Sequence, residues 1–214
     1  MFDDRTEAFI RSFDTESDDL ISELEREAKQ ADIPIIRPGA QSLLRLVIAM
    51  KQPQNILEIG TATGFSAILM AKCSQKDTHI TTIEKYEPRI PVAMKNFERA
   101  GVSDRITFLE GDAADILKNL SDRKNKYDLV FMDAAKAQYI TFLPFVMDML
   151  TEGGILISDN VLQEGDVMES RFAVTRRNRT IHSRMREYLY ALTHNEALVT
   201  DILPVADGMT ISVK

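Results

Sequence analysis

The sequence lacks the features of a secreted or membrane-embedded protein. Its 214 residues include a single cysteine, Cys73, so no disulfide can form within the chain and a reducing compartment is expected. The most apolar run, Leu43–Met50, contains Arg45 and is too short to cross a bilayer. The acidic segment Met1–Arg5 is unlike a signal peptide. We therefore expect a cytoplasmic protein with no membrane contact.

Histidine is also scarce, and acidic residues outnumber basic ones, 33 to 26. The formal net charge of −7 excludes bulk attraction to nucleic acid, so any such contact requires a local basic patch. The three histidines, His79, His182 and His194, are scattered along the sequence, which argues against a zinc or iron site. The length and the absence of repeats or linkers predict a single domain over residues 1–214.

Two phosphate-binding motifs are missing from the glycine-containing turn that follows Asn55–Ile59. A P-loop would have a lysine before its serine or threonine, and Gly64-Phe65-Ser66 has none. A dinucleotide-binding turn would have a second glycine where this chain has Ala62. Because that glycine lets the backbone approach a pyrophosphate, the turn favours a ligand without phosphates.

What the sequence does contain is an alternation of strand and helix patterns, typical of a parallel sheet covered by helices on both faces. Apolar or β-branched runs predict strands at Asn55–Ile59, His79–Glu84, Arg105–Leu109, Tyr127–Met132 and Gly154–Ser158. Helical patterns occur at Ser17–Ala31, Gly64–Cys73, Glu87–Ala100, Ala113–Leu120, Gln138–Leu150 and Ser170–His194. At the C-terminus, Ala197–Leu203 and Gly208–Val213 predict an antiparallel strand pair.

Acidic residues stand at the ends of the predicted strands, where an open α/β sheet binds its ligands. Any one of them could simply start a turn or cap a helix, but the series is harder to explain in that way. Glu84 follows Gly60 by 24 positions and could accept the two hydroxyls of a ribose, which NAD and S-adenosylmethionine both carry. The missing phosphate motif favours S-adenosylmethionine. Ser66 could then bind the methionine carboxylate at a helix N-terminus, and Asp112 the adenine amino group.

A second group of polar residues suits a metal ion. Asp133 and Asp159-Asn160 are separated by about one strand–helix–strand crossover, which places both strand ends at one edge of the sheet. Two carboxylates and an amide oxygen suit Mg²⁺. Lys136 could take a proton from a substrate hydroxyl, since a nearby dication and partial burial disfavour its ammonium form. Alternatively, Asp133 caps a helix, Asp159-Asn160 forms a turn, and Lys136 is a solvated partner of Asp133.

These motifs occur together in a known family. The sequence resembles the cation-dependent O-methyltransferases, which include catechol and caffeoyl-CoA O-methyltransferases, over about residues 35–213. The matching motifs are Glu58-x-Gly60-x-x-x-Gly64, Thr82-Ile83-Glu84, Gly111-Asp112-Ala113, Asp133-Ala134-Ala135-Lys136 and Ser158-Asp159-Asn160-Val161. The resemblance implies a class I S-adenosylmethionine-dependent methyltransferase: an α/β fold with a seven-stranded, mostly parallel, doubly wound sheet and a C-terminal antiparallel strand. Residues 1–37 would be an N-terminal helical extension and lid, residues 38–214 the Rossmann-like core, and the assembly a homodimer.

The resemblance also implies a role for each matching residue. Asp133, Asp159 and Asn160 would bind Mg²⁺ or Mn²⁺, and Lys136 would be the general base. S-adenosylmethionine would be bound by residues of the lid, the glycine turn and the strand ends, namely Ile36, Glu58, Gly60, Thr61, Ser66, Glu84, Gly111, Asp112, Ala113 and Asp133. A substrate oxyanion would displace the sulfonium in line, and alignment would supply much of the rate.

Within the family, the chain most resembles the bacterial branch that methylates 5-hydroxyuridine at the tRNA wobble position to 5-methoxyuridine. A metal with two open positions suits two adjacent oxygens, and both 5-hydroxyuridine and a catechol offer them. A small catechol-like phenol is therefore the alternative substrate. A non-catalytic nucleotide-binding module is the alternative from another class, and it would assign no role to Asp133, Lys136 and Asp159.

An arginine-rich segment follows the predicted metal residues. It contains Arg171, Arg176, Arg177, Arg179, Arg184 and Arg186. Arginine clusters bind phosphates, so Arg171, Arg176, Arg177 and Arg179 are candidate contacts to the tRNA anticodon loop. Otherwise the segment is a solvated helix face paired with the acidic N-terminal helix. Arg37 is a further candidate contact, and Tyr139 is a candidate to stack on a base.

Overall fold

The computed structural model describes residues 5, 9, 12, 13 and 18–214. Helix α1, Asp19–Gln30, matches the predicted N-terminal helix, although Ser17 lies outside the described residues. Asp18 caps α1, because its Oδ1 accepts hydrogen bonds from the N–H groups of Leu20 and Ile21 at 3.0 and 3.4 Å. No helix in the described part of the chain is long and apolar enough to cross a membrane.

Seven strands of the described residues form one sheet. They are β1 (Asn55–Ile59), β2 (His79–Glu84), β3 (Ile106–Glu110), β4 (Tyr127–Met132), β5 (Leu150–Ser158), β6 (Val199–Leu203) and β7 (Met209–Val213). Their order is β3-β2-β1-β4-β5-β7-β6. The strands from β3 to β5 pair in parallel, and β7 pairs antiparallel with β5 and β6. The predicted α/β sheet with an antiparallel C-terminal strand is confirmed.

Helices cover both faces of this sheet. They are α2 (Pro38–Lys51), α3 (Phe65–Cys73), α4 (Ile90–Ala100), α5 (Ala113–Asp122), α6 (Tyr139–Met149) and α7 (Arg179–Thr193). Buried apolar side chains form one cluster with α1 to α4 and another with α5 to α7. Strand β1 contributes Ile56 to the first cluster and Leu57 and Ile59 to the second. It is therefore buried on both faces, as expected for a central parallel strand.

The first part of the predicted helix Ser170–His194 is wrong. Helix α7 begins at Arg179, and the residues before it form turns. Ser170 Oγ accepts a hydrogen bond from the N–H of Phe172 at 3.3 Å, and the Ser170 carbonyl accepts one from the N–H of Ala173 at 2.9 Å. Such local bonds compete with the backbone bonds of a helix. The arginines are consequently divided between a turn-rich segment and α7.

Other boundaries also differ from the prediction. Strand β5 begins at Leu150 rather than Gly154, because Leu150 pairs with Tyr127. The predicted helix Gln138–Leu150 is preceded by a 3₁₀ turn at Lys136–Gln138, and α6 itself begins at Tyr139. The other 3₁₀ turns of the described residues are Glu87–Arg89, Ser103–Arg105 and Gln163–Met168.

Backbone hydrogen bonds align the carboxyl ends of the central strands. The N–H of Asp133 donates to the Ile59 carbonyl at 3.0 Å, and the N–H of Asp159 donates to the Met132 carbonyl at 3.0 Å. The N–H of Thr61 in the glycine turn donates to a carbonyl of β2 at 3.1 Å. Residues from four loops therefore meet at one edge of the sheet.

Candidate active site

A cavity of about 530 Å³ lies at this edge of the sheet, within the range of small-molecule sites. The predicted lid, cofactor, base and metal residues that line it are Ile36, Arg37, Gly60, Thr61, Ser66, Glu84, Gly111, Asp112, Ala113, Asp133, Lys136, Asp159 and Asn160. The predicted residues that do not line it are Glu58, Tyr139, Arg171, Arg176, Arg177 and Arg179. The fold thus brings together most of the residues chosen from the sequence.

The turn between β1 and α3 depends on glycine. Gly60 has a φ of +104°, and a Cβ atom there would lie 2.0 Å from the carbonyl oxygen of Asp133. Gly64 has a φ of +83°, and a Cβ atom there would meet the ring of Phe97 at 2.6 Å. Both values exclude a larger side chain without displacement of the neighbours. The glycines let the cofactor turn pack directly against the strand end that carries Asp133.

Glu58, a predicted cofactor contact, lies beneath the cavity rather than in its wall. It is completely buried on β1. Its carboxylate accepts hydrogen bonds from the hydroxyls of Ser66, at 2.5 Å, and of Thr82. Burial, opposed by these two hydrogen bonds, raises the pKa of Glu58 to about 7. Glu58 therefore orients Ser66, which does line the cavity.

The buried carboxyl of Glu58 predicts a pH-dependent stability. Its raised pKa means that the folded protein binds more protons than the unfolded chain between about pH 4.5 and 7, so the free energy of unfolding falls as the pH rises through that window. Glu58→Gln can keep hydrogen bonds to both hydroxyls and removes this dependence. Urea unfolding at pH 5 and pH 8 measures the free energy of unfolding of both proteins. The value for the variant relative to that of the wild type should rise by up to about 3 kcal/mol between pH 5 and pH 8. Glu110→Gln, which changes an exposed acid at the end of β3, is the control. A difference between Glu58→Gln and the wild type that is equal at both pH values would contradict the prediction.

Glu84 is held at the end of β2 by backbone donors. Its Oε2 accepts from the N–H of Ala62 at 2.8 Å, and its Oε1 accepts from the N–H groups of Lys85 and Tyr86 at 2.9 and 2.8 Å. These bonds connect the acid to the glycine turn and fix it in the cavity wall. A fixed carboxylate at this place suits the hydroxyls of a ribose.

Asp112 serves as a helix cap as well as a wall residue. Its Oδ1 accepts from the N–H of Ala114 at 2.9 Å, which caps α5, and its Oδ2 lies 3.2 Å from Nζ of Lys85. The hydrogen bond to Ala114 and the bond from Lys85 lower the pKa of Asp112. Asp112 therefore caps a helix, which is the role that any acid at a strand end could have. It also lines the cavity.

Lys136 lies among the predicted metal ligands. Its Nζ is 2.8 Å from Oδ1 of Asp133, 2.9 Å from Oδ1 of Asn160 and 3.0 Å from the hydroxyl of Tyr139. Burial disfavours the ammonium, but the surrounding Tyr139 and Asp133 oxygens outweigh burial and raise the pKa of Lys136. In this arrangement Asp133 stabilises the ammonium, and the preference for the neutral amine, which was expected beside a dication, stays a prediction. A dication between the same oxygens would reverse that balance.

Asp159 completes the acidic cluster. It is 1% exposed, and its Oδ1 accepts from the N–H of Asn160 at 2.8 Å. Burial and the negative charge of Asp133 raise the pKa of Asp159 to about 6. Two carboxylates that destabilise each other in a partly buried site favour a bound cation.

The donor set fits a hard divalent cation. The ammonium of Lys136 already places a positive charge within 2.9 Å of both Asp133 and Asn160 oxygens. Within residues 18–214 and the four described residues before them, no three His, Cys, Asp or Glu side chains form a metal-binding group. The third protein ligand would therefore be the amide oxygen of Asn160, and such an all-oxygen set suits Mg²⁺ or Mn²⁺.

Tyr139 cannot stack on a substrate base, so that prediction is wrong. Its side chain is fully buried, and its ring packs edge-on against Tyr188 with centroids 5.4 Å apart. Its hydroxyl lies 3.0 Å from the carbonyl of Met132 and 3.1 Å from the carbonyl of Asp159. Tyr139 therefore joins the ends of β4 and β5 and supports Lys136 from below.

The loop after Asn160 forms a wall that the sequence did not reveal. Asn160, Gln163 and Glu164 have φ values of +54°, +50° and +53°. The loop is held by the turn between β6 and β7, because Oδ1 of Asp207 accepts from the N–H of Glu164 at 2.6 Å. Glu164 and Asp207 both line the cavity, as do Lys85, Gln138 and Phe142. For this wall the sequence indicated only that a turn joins the two predicted C-terminal strands, and not that the turn lines a site.

Arg37 lies in the cavity wall, and the arginine-rich segment lies beside the cavity. Nη2 of Arg37 is 3.9 Å from Oε1 of Glu164, and 45% of its side chain is exposed. Arg184 donates to the Ala137 carbonyl at 2.9 Å, and Arg186 donates to the Val167 carbonyl at 3.0 Å. These two bonds attach α7 to the turn of Lys136 and to the loop that carries Glu164.

Glu23 and Glu27, two acids of the N-terminal helix, have a partner outside the arginine-rich segment. Both form ion pairs with Arg99, at 3.3 and 2.8 Å. Arg179 donates to the Val174 carbonyl at 3.3 Å. Of the six arginines in the segment, all of which lie in the described part of the chain, those that are exposed and form no such bond are Arg171, Arg176 and Arg177. These three remain available for an external anion.

The strand order, the antiparallel β7 and the cavity at the carboxyl edge define a class I methyltransferase fold, the fold of S-adenosylmethionine-dependent enzymes. The O-methyltransferase family matches residues 11–214. A catechol O-methyltransferase of Niastella koreensis is 32% identical over 156 residues, covering 71% of this chain and 70% of that protein. The chain belongs to the O-methyltransferase family, the family of the catechol and caffeoyl-CoA O-methyltransferases, as its motifs predicted.

Solved structures agree with this assignment. A proposed caffeoyl-CoA O-methyltransferase from Staphylococcus aureus has a TM-score of 0.87 and 31% identity, covering 98% of both chains. A methyltransferase from Podospora anserina, bound to S-adenosylhomocysteine, has a TM-score of 0.85 and 25% identity, covering 98% of this chain and 93% of that one. The fold is thus shared over nearly the whole chain.

Proposed function

We propose that this protein is a divalent-cation-dependent O-methyltransferase that converts 5-hydroxyuridine at the wobble position of tRNA to 5-methoxyuridine, with S-adenosylmethionine as methyl donor. The family supports methyl transfer to oxygen, and the fold supports the donor. The observation that carries the choice of substrate is the group of three exposed, unpaired arginines beside the cavity in a protein of net charge −7.

The donor would occupy the part of the cavity formed by the glycine turn. Glu84, fixed by three backbone N–H groups, would bind the ribose hydroxyls, and Asp112 the adenine amino group. Ser66, oriented by Glu58, lies in the first turn of α3 and would bind the carboxylate of the methionine part. Ile36 is buried at the cavity wall and would exclude water from that end.

The reacting hydroxyl would lie at the Lys136 end of the cavity. Asp133, Asp159 and Asn160 would hold a divalent cation, which would supply a lowered pKa to a bound hydroxyl. Lys136 would accept the hydroxyl proton. The substrate oxygen would then form a bond to the methyl carbon as the carbon–sulfur bond breaks, leaving S-adenosylhomocysteine. The three contacts that hold Nζ of Lys136 keep it at this end of the cavity.

Two adjacent oxygens are the common requirement of this site. In 5-hydroxyuridine the 5-hydroxyl is next to the C4 carbonyl oxygen, and in a catechol it is next to a second hydroxyl. The catechol O-methyltransferase relative favours a small phenol as the second candidate. A small phenol, however, assigns no role to Arg171, Arg176 and Arg177. A non-catalytic module is not favoured, because it gives no role to the Asp133, Lys136 and Asp159 cluster.

The nucleosides of tRNA from a deletion strain test the proposed substrate. Mass spectrometry should find 5-hydroxyuridine accumulated and 5-methoxyuridine lost. The purified protein, supplied with Mg²⁺ and S-adenosylmethionine, should restore the methoxy form in that tRNA and should act more weakly on catechol. Unchanged 5-methoxyuridine in the deletion strain, with efficient methylation of catechol, would reject tRNA as the substrate.

Neutralising two of the free arginines should weaken tRNA binding. Removing one side chain that binds a phosphate reduces the slope of log affinity against log salt by about 1, so Arg176→Gln with Arg177→Gln should reduce it by about 2. Binding is measured by filter retention across a salt series, and methylation of catechol should not change. Arg123→Gln with Lys124→Gln, exposed at the opposite edge of the sheet, is the matched control. An equal slope for both pairs would show that the arginine-rich segment is not the tRNA surface.

A further inference from the structure

The arginine-rich segment carries an aromatic ring that the fold leaves outside. Phe172 is 86% exposed, more than any other large apolar side chain in the described part of the chain. Full exposure leaves the apolar area of the ring in contact with water. None of the assigned roles in the cavity uses this side chain.

The segment around Phe172 is fixed on both sides. Before it, Nε2 of His182 lies 3.0 Å from the carbonyl oxygen of Glu169. After it, Val174 is buried at 4% exposure, and its carbonyl accepts from Nε of Arg179 at 3.3 Å. The ring is therefore presented from a backbone that packs against α7, which lowers the entropy lost when a ligand binds it.

The charge around the ring is positive. Arg171 is adjacent to Phe172 in the chain, and Arg176 and Arg177 follow on the same segment, all exposed. The bond from Arg184 to the Ala137 carbonyl attaches the helix behind this segment to the turn that carries Lys136. At the two ends of the segment, Asn178 donates to Asp166 at 2.9 Å, and Asp166 belongs to the turn that carries the cavity residue Glu164. The surface formed by Phe172, Arg171, Arg176 and Arg177 is thus attached to the cavity wall.

We propose that Phe172 stacks on an unpaired base of the anticodon loop, next to the base that enters the cavity, while Arg171, Arg176 and Arg177 bind the flanking phosphates. This inference rests on the proposed tRNA substrate. An aromatic ring among arginines suits single-stranded RNA, because the ring stacks on a base while the guanidinium groups neutralise the backbone. Tyr139 does not supply this ring, since it is buried.

Fluorescence provides a direct test, because the chain contains no tryptophan. Phe172→Trp introduces a single reporter at the proposed contact. Its emission should be quenched in a saturable way by an anticodon stem-loop RNA that carries 5-hydroxyuridine. Val199→Trp is the matched control. Val199 is 79% exposed and lies on the edge strand β6, away from the cavity, where it pairs with Val213 of β7. Its emission should not respond to the RNA.

Kinetics separate stacking from simple apolar contact. Phe172→Ala should raise the KM for tRNA about 10-fold, or about 1.4 kcal/mol, with a much smaller change in kcat. Phe172→Tyr, which keeps a ring, should restore the wild-type KM, whereas Phe172→Leu should behave as the alanine variant does. Circular dichroism should show all of these variants folded, because the side chain is exposed.

The outcomes distinguish this inference from the proposed function. If wild-type protein methylates tRNA but Phe172→Ala keeps the wild-type KM and Phe172→Trp is not quenched, the stacking role is overturned and the tRNA substrate stands. If wild-type protein does not methylate tRNA, the proposed function fails first. A blue shift of Phe172→Trp with phosphatidylglycerol vesicles, without a response to RNA, would assign the ring to a membrane surface and also overturn the inference.

Discussion

Asp159→Ala is expected to abolish metal binding and methyl transfer together. Asp159 is 1% exposed and belongs to the same cluster of oxygen donors as Asp133 and Asn160. The rate should fall by more than about 100-fold, since changes to residues that merely orient a metal ligand already cost 10–100-fold in affinity. Methyl transfer to tRNA and Mn²⁺ binding followed by electron paramagnetic resonance measure the two effects separately.

Two further variants control for loss of structure. Asp159→Asn keeps the shape and the acceptor for the N–H of Asn160 but removes the charge, so its Mn²⁺ affinity should lie between those of the wild type and Asp159→Ala. Asp128→Asn changes an acid at the opposite edge of the sheet, where Asp128 accepts from the N–H groups of Gln54 and Asn55 at 3.0 Å. It should bind Mn²⁺ as the wild type does. Wild-type Mn²⁺ affinity in Asp159→Ala would remove the cation from the proposed function.

The strand ends were predictable because short-range signals determine them. The apolar runs of β1, β2 and β4 are buried on both faces, so each run ends where the sheet meets solvent and polar residues begin. The parallel order then places these ends at one edge. For this reason Glu84, Asp133 and Asp159 were identified from the sequence and meet in the cavity.

Glu58 and Tyr139 do not line the cavity as the sequence led us to expect. The motifs do not show in which direction a side chain points. Glu58 precedes the strand end by one residue, and Ser66 of α3 and Thr82 of β2 satisfy its buried carboxylate. Strand alternation alone puts Glu58 on the same buried face of β1 as Ile56. Tyr139 begins α6 after a 3₁₀ turn, its ring is buried, and its hydroxyl contacts Lys136.

Other features depend on contacts that are distant in the sequence. The wall formed by Glu164 and Asp207 requires the β6–β7 turn to reach the loop after β5, 43 residues away. No local pattern in the sequence reports such a contact. The homodimer and the cytoplasmic location stay predictions, since a single chain contains neither a partner nor a compartment.

Lys136→Met is expected to lower methyl transfer about 10²–10⁴-fold, the usual contribution of a general base. The variant should differ from Asp159→Ala in one decisive way. Because Nζ of Lys136 contacts the same Asp133 and Asn160 oxygens that would bind the cation, removing the ammonium should leave Mn²⁺ affinity equal or higher. The KM for S-adenosylmethionine should not change, since the proposed contacts to the donor are assigned to Glu84, Asp112 and Ser66 and not to Lys136.

Lys136→Arg separates the charge of this side chain from its basicity. An arginine keeps a cation near Asp133 but cannot give up its proton at neutral pH, so it should be as inactive as the methionine variant. Activity in Lys136→Arg would mean that Lys136 acts through its positive charge, and some other group takes the proton. Loss of Mn²⁺ binding in Lys136→Met would instead make Lys136 a structural support of the cluster. Inactive variants that still bind Mn²⁺ would leave proton removal from the substrate as the step that fails.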